Sequence, residues 1–112
     1  MALRKPTAGE RALLGHLSTQ AMGRPDAPPI LWDGLLVESQ GSGGSGASLR
    51  IVPHGRNKVE RTFGERVGSI DFLDRDNVPV TCHLVTDHEG FLYELEFWKP
   101  NFTRVQFIPE SY

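Results

Sequence analysis

The sequence predicts an α+β domain in which an N-terminal helix packs on one mostly antiparallel sheet of about five strands. Three observations predict it. Residues 67–99 alternate apolar and polar residues with period two, as half-buried strands do. Two clusters of turn formers, Asp74–Asn77 and Asp87–Gly90, divide that stretch into a three-strand meander. Near the N-terminus, Thr7-Ala8-Gly9-Glu10 carries the spacing of a helix capping box. A chain of 112 residues suits a single domain, 1–112, with one core.

Residues 1–6 are a basic, extended lead-in. The helix is expected from Thr7 to about Met22, with Leu13, Leu14, Leu17 and Ala21 on one stripe. Gly23 and Pro25 stop it, and residues 24–29 connect onward. A strand is expected over 30–39, where Leu35-Leu36-Val37 implies partial cover on both faces. Residues 40–48 form a flexible Gly/Ser loop. They lack the Lys-Ser/Thr ending and following helix of a phosphate-cradling loop. Leu49–Val52 reads as a strand, and 53–64, with Arg56, Lys58 and Arg61, as a mobile polar loop.

In the meander, a type I turn with left-handed Asn77 pairs Asp74 with Val78, Phe72 with Val80 and Ile70 with Cys82. Val67 and Leu73 fall on the other face, and Gly68 marks a bulge or close approach. For the second hairpin, pairing Thr86 with Phe91 places Leu84, Cys82 and Val80 opposite Tyr93, Leu95 and Phe97. Pairing Asp87 with Phe91 would set Leu84 against Glu94, so the apolar pattern selects the first register. Beyond Pro100 and the Asn101-Phe102 turn, Val105–Ile108 is expected to add a short edge strand.

Twelve Lys and Arg against fourteen Asp and Glu give a net charge of −2, without the basic stripe of a nucleic-acid binder. No apolar run reaches membrane length. The single cysteine, Cys82, permits no intramolecular disulfide and no cysteine-based zinc site. A cytoplasmic location is expected, with Cys82 acting as a small buried hydrophobe. No cofactor or metal is expected. Asn101-Phe102-Thr103 matches a glycosylation acceptor that has no meaning in that compartment.

RKPTAGERALL at 4–14, GGSGASLR at 43–50 and DRDNVPVTCHLVTDHEGFLYELEFWKPNF at 74–102 together resemble a group of small bacterial single-domain proteins. Their shared ending has the form D-x-x-G-x-L-x-E-L-D-x-W-K-x-D-F. This chain departs from it at Glu96 and Asn101, where the pattern favours Asp. The resemblance implies a bacterial origin and a compact α+β domain. Some members look like small immunity-type proteins that accompany toxins, and no reaction is implied.

The registers leave a second sheet face, with rows Asp71–Thr81–Glu96 and Ser69–His83–Glu94, surrounded by Val85, Leu92 and Trp98. Asp71, His83, Glu94, Glu96 and Trp98 are therefore the candidate surface residues. The plainest reading is a solvated face with one cross-strand ion pair. The functional readings are a surface for a protein partner or a second copy, anchored by Trp98, and a small enzyme or metal-binding domain using His83, Glu94 and Asp71. A lone histidine is a weak zinc signal, and no nucleophile–base pair is legible. The sequence thus favours a non-enzymatic protein-binding module.

Overall fold

The computed structural model describes residues 3–21, 32–40, 48–55, 60–100, 105 and 107–110. Helix α1 spans Ala8–Ala21. Thr7 Oγ1 accepts the Glu10 N–H at 3.2 Å, and Glu10 Oε1 accepts the Thr7 N–H at 2.8 Å. This is the reciprocal pairing of a capping box. Glu10 is buried, and its two oxygens also take Arg4 Nη1 and Nη2 at 2.7 and 2.8 Å. The apolar stripe packs inward through Leu13, Leu14 and Leu17. The expected helix stop at Met22, Gly23 and Pro25 lies outside the described residues, as do the connector, Ile30 and Leu31. So do loop residues 41–47, Arg56, Lys58 and the turn at Asn101-Phe102.

Five strands form one sheet: β1 (Leu36–Gln40), β2 (Ser48–Val52), β3 (Phe63–Leu73), β4 (Pro79–Asp87) and β5 (Leu92–Trp98). Their order is β1-β2-β5-β4-β3, with every neighbouring pair antiparallel. The meander β3-β4-β5 is thus extended by a β1–β2 hairpin laid against β5. Helix α1 lies over β3 and β4 on one face, where the core gathers Leu13, Leu17, Ile51, Phe72, Leu84 and Leu95. Cys82 is part of that core. Burial, with a smaller contribution from the charge of Glu96, pushes its thiol well above the ordinary value, so the thiolate needed for reactivity is suppressed. Among the described residues, no helix is long and apolar enough to cross a membrane.

Some boundaries differ from expectation for local reasons. β1 starts later than residue 30, because the Leu35 N–H bonds to the Trp32 carbonyl at 3.1 Å and closes a turn through Asp33-Gly34. β3 begins at Phe63, within the stretch expected to be loop. Val67 was expected on the second face, yet it joins the core. A register shift between Arg66 and Gly68 leaves Val67 opposite no β4 residue, and this bulge turns its side chain inward. At Gly68 the helix and sheet backbones nearly touch. A Cβ there would sit 3.1 Å from the Leu17 carbonyl oxygen. Residues 105 and 107–110 form no strand; Val105 and Ile108 instead pack on the core, Ile108 beside Gly9 of α1.

The β3–β4 turn follows the expected register. Phe72 pairs with Val80, Ile70 pairs with Cys82, and Asn77 has φ 63°. The β4–β5 turn does not. The Asp87 N–H bonds to the Phe91 carbonyl at 2.8 Å, so the loop is 88–90. Asp87 Oδ1 accepts the N–H groups of Glu89 and Phe91 at 2.8 and 2.9 Å, which fixes this tighter turn. A register shift between Val85 and Thr86 then restores apolar pairing, with Leu84 opposite Leu95 and Cys82 opposite Phe97. The bulged Tyr93 is buried as expected, but outside the main apolar cluster, where its ring meets the guanidinium groups of Arg50 and Arg61 at 4.3 and 5.0 Å. Leu92, expected beside the second face, joins the core.

Gly90 completes the turn at φ 86°, and a Cβ there would meet nothing. Gly90→Ala should therefore cost only the left-handed penalty, about 1–2 kcal/mol, and Gly90→Asn less. Urea denaturation of the two variants checks the order; equal stability of Gly90→Ala and wild type would show that the turn does not require glycine.

Candidate functional site on the open sheet face

On the face away from α1, three rows of side chains run across the sheet. Asp71, Thr81 and Trp98 form the first; Ser69, His83, Glu96 and Ser48 the second; Arg66, Val85, Glu94 and Arg50 the third. The expected residues do share this face, but their rows differ. His83 stands opposite Glu96 rather than Glu94, and Asp71 lies in the row of Trp98 rather than Glu96. The tighter turn and the bulge at Tyr93 are the cause, because each slides β5 by one residue and the total of two preserves which face each residue takes.

The new rows change the chemistry. Asp71 and Glu94 now flank His83 from opposite sides, in rows about 13 Å apart at the ordinary strand rise. They do not converge with His83 into a ligand set. Among the described residues, no three His, Cys, Asp or Glu side chains are placed to hold a metal ion. The carboxylates are also partnered by cations the sequence reading had not placed there. Arg66 Nε donates to Glu96 Oε1 at 2.8 Å, and Arg50 Nη2 to Glu94 Oε2 at 3.3 Å. Asp71 Oδ1 accepts from the Thr81 hydroxyl at 2.5 Å. Burial raises the Glu94 carboxyl above its ordinary value; Arg50 opposes this and the neighbouring charge of Glu96 adds to it.

Between these rows lies an open depression of about 260 Å³, lined by Ser48, Arg66, His83, Glu94, Glu96 and Trp98. His83 is half-buried, and its side chain makes no hydrogen bond among the described residues. Trp98 is 49% exposed and Leu73, at the same end of the face, 59% exposed. Phe63, 50% exposed, carries the Arg66 guanidinium 5.3 Å from its ring centre.

The opposite end of the face is closed. Pairing of β2 with β5 stops at Arg50 opposite Glu94, which leaves the Ile51 and Leu92 carbonyls beyond it without strand partners. Arg61 takes both, Ile51 O from Nη1 at 2.7 Å and Leu92 O from Nη2. Its Nε donates to Asp87 Oδ2 at 2.8 Å. The stretch expected to be a mobile loop therefore carries a buried anchor. No signal in the sequence marks it, since two of the three acceptors are main-chain carbonyls.

These features define an α+β domain with one helix-covered sheet face and one open face that carries an exposed tryptophan and a small charged depression. The chain belongs to the family described as Domain of unknown function (DUF6984), which matches residues 3–109. No curated protein and no solved structure matches the chain.

Proposed function

We propose that this protein is a non-enzymatic protein-binding module of the bacterial cytoplasm, immunity-like or self-associating, and that the open sheet face is its contact surface. The exposure of Trp98 carries the reading. An indole half in water on a flat antiparallel face has the character of an interface hot spot, and the neighbouring exposed Leu73 extends it into an apolar patch of the kind that marks interaction sites. The resemblance to small immunity-type proteins adds support.

The test is selection of binders from a displayed library of random peptides, each then measured on wild type and on the Trp98→Ala/Leu73→Asp variant. Both substituted side chains are exposed, so Tm should change little while binding is lost. Binders indifferent to both substitutions would refute the face as the interface. Sedimentation of the same two proteins over a range of concentrations tests the self-associating form.

The alternative is a small enzyme centred on His83. The Glu94 carboxyl, raised by burial, lining the same depression as the His83 imidazole favours it, because general acid–base catalysis uses groups of these two types. Against it, a depression of about 260 Å³ falls below the usual size of small-molecule sites, and Cys82 faces the core.

A further inference from the structure

We infer that the depression beside Trp98 receives a single arginine side chain of the protein partner. The inference rests on the reading of the open face as an interface. The size of the depression limits the occupant first. About 260 Å³ accommodates one long side chain, and the flat, strongly exposed surround of Trp98 and Leu73 leaves the rest of the partner to lie on the face.

Charge limits the occupant next. One cation, Arg66, and two carboxylates, Glu94 and Glu96, line the depression. At its border Asp71, in the row of Trp98, adds a third carboxylate and Arg50, bonded to Glu94, a second cation, so that three carboxylates face two arginines. Glu94 and Glu96 each use one oxygen on an arginine of this chain, through Arg50 Nη2 and Arg66 Nε. The second oxygen of each has no hydrogen bond among the described residues. Acceptor oxygens with no donor among the described residues, and a small excess of negative charge, suit a cation and disfavour an anionic group. The raised Glu94 carboxyl is consistent, since part of its shift is repulsion from Glu96 that an added cation would relieve.

Shape then separates arginine from lysine. The indole of Trp98 forms one wall, and a planar guanidinium can stack on it while its edge still forks onto a carboxylate. An ammonium offers the charge without the plane. Arg50 already shows this behaviour within the chain, with its guanidinium 4.3 Å from the Tyr93 ring centre and its Nη2 on Glu94.

The experiment uses the full chain and peptides from the random-library selection. Trp98-dependent binders should contain an arginine whose replacement by citrulline, a neutral isostere, weakens binding by about tenfold or more. Glu96→Gln should weaken the arginine peptide to a similar degree and leave the citrulline peptide unaffected, which assigns the contact to that pair. Tm of Glu96→Gln should stay close to wild type, because Arg66 is exposed and Glu96 partly so, and such pairs contribute little. Trp98-dependent binders without arginine, or with citrulline tolerated, would overturn the arginine assignment and leave the interface standing. A selection with no Trp98-dependent binder would overturn both.

Discussion

Arg61→Ala should lower the free energy of unfolding by about 3–5 kcal/mol, the usual effect of breaking a buried ion pair from one side. The Arg61 side chain is 5% exposed and that of Asp87 fully buried. Removing the guanidinium leaves the Asp87 carboxylate and the Ile51 and Leu92 carbonyls with a lost donor each. Arg61→Lys should rescue little, because one ammonium cannot reach three acceptors in the geometry of a planar fork. Urea denaturation at neutral pH reads the loss, and a change below about 1 kcal/mol would place Arg61 with ordinary surface pairs. The same cluster gives an acid limb to stability. Burial pushes the Asp87 carboxyl up, but the Arg61 bond and the N–H groups of Phe91 and Glu89 outweigh it and hold the carboxyl below its ordinary range. A carboxylate lowered in the fold stabilises it above the unfolded value, about 3.9, and loses that contribution as pH falls toward the folded one. Asp87→Asn should therefore flatten the fall of Tm below about pH 4. Glu10 and Asp76, also held low, keep part of it.

Asp87 also explains where the sequence was legible and where it was not. The capping box at Thr7 and Glu10 and the Asn77 turn were readable because local side chains and one permitted left-handed residue decide them. The β4–β5 register was not. Alternation determines which face each residue takes, and every residue of the candidate surface does lie on the expected face. It cannot distinguish registers two residues apart, and a bulge lets a tighter turn coexist with apolar pairing. The Asp87 carboxylate chose the tighter turn by accepting two N–H groups of its own loop, a bond that leaves no periodic trace. One displaced strand then exchanged Glu94 for Glu96 opposite His83 and separated Asp71 from Glu94, and the metal reading lost its geometry.

Lys99→Met should destabilise the fold severely and, unlike the surface changes, also weaken binding at the open face. The Lys99 side chain is fully buried, and Nζ donates to Asp74 Oδ2 and Asp76 Oδ2, both at 2.8 Å. Asp74 is fully buried too, and its other oxygen accepts the Arg75 N–H at 2.8 Å. The cluster thus ties the β3–β4 turn to the end of β5. Burial draws the ammonium down, but the bonds to Asp74 and Asp76 outweigh it and hold Lys99 above its ordinary value. A raised base stabilises the fold below its unfolded value, about 10.4, and that contribution disappears as pH rises through the folded one. Tm should accordingly fall at strongly alkaline pH, and less so in Lys99→Met. Methionine fills the space but leaves the Asp74 carboxylate buried without its cation, the costly half of a broken pair. Adding Asp74→Asn to Lys99→Met should recover part of the loss, because the stranded charge is then gone. The functional consequence follows from chain order. Leu73 precedes Asp74 and Trp98 precedes Lys99, so the buried cluster sets both exposed anchors in place before a partner arrives. Peptide affinity measured well below the Tm of Lys99→Met should fall although no contact residue has changed. Affinity equal to wild type there, with Tm lowered, would confine the cluster to stability alone.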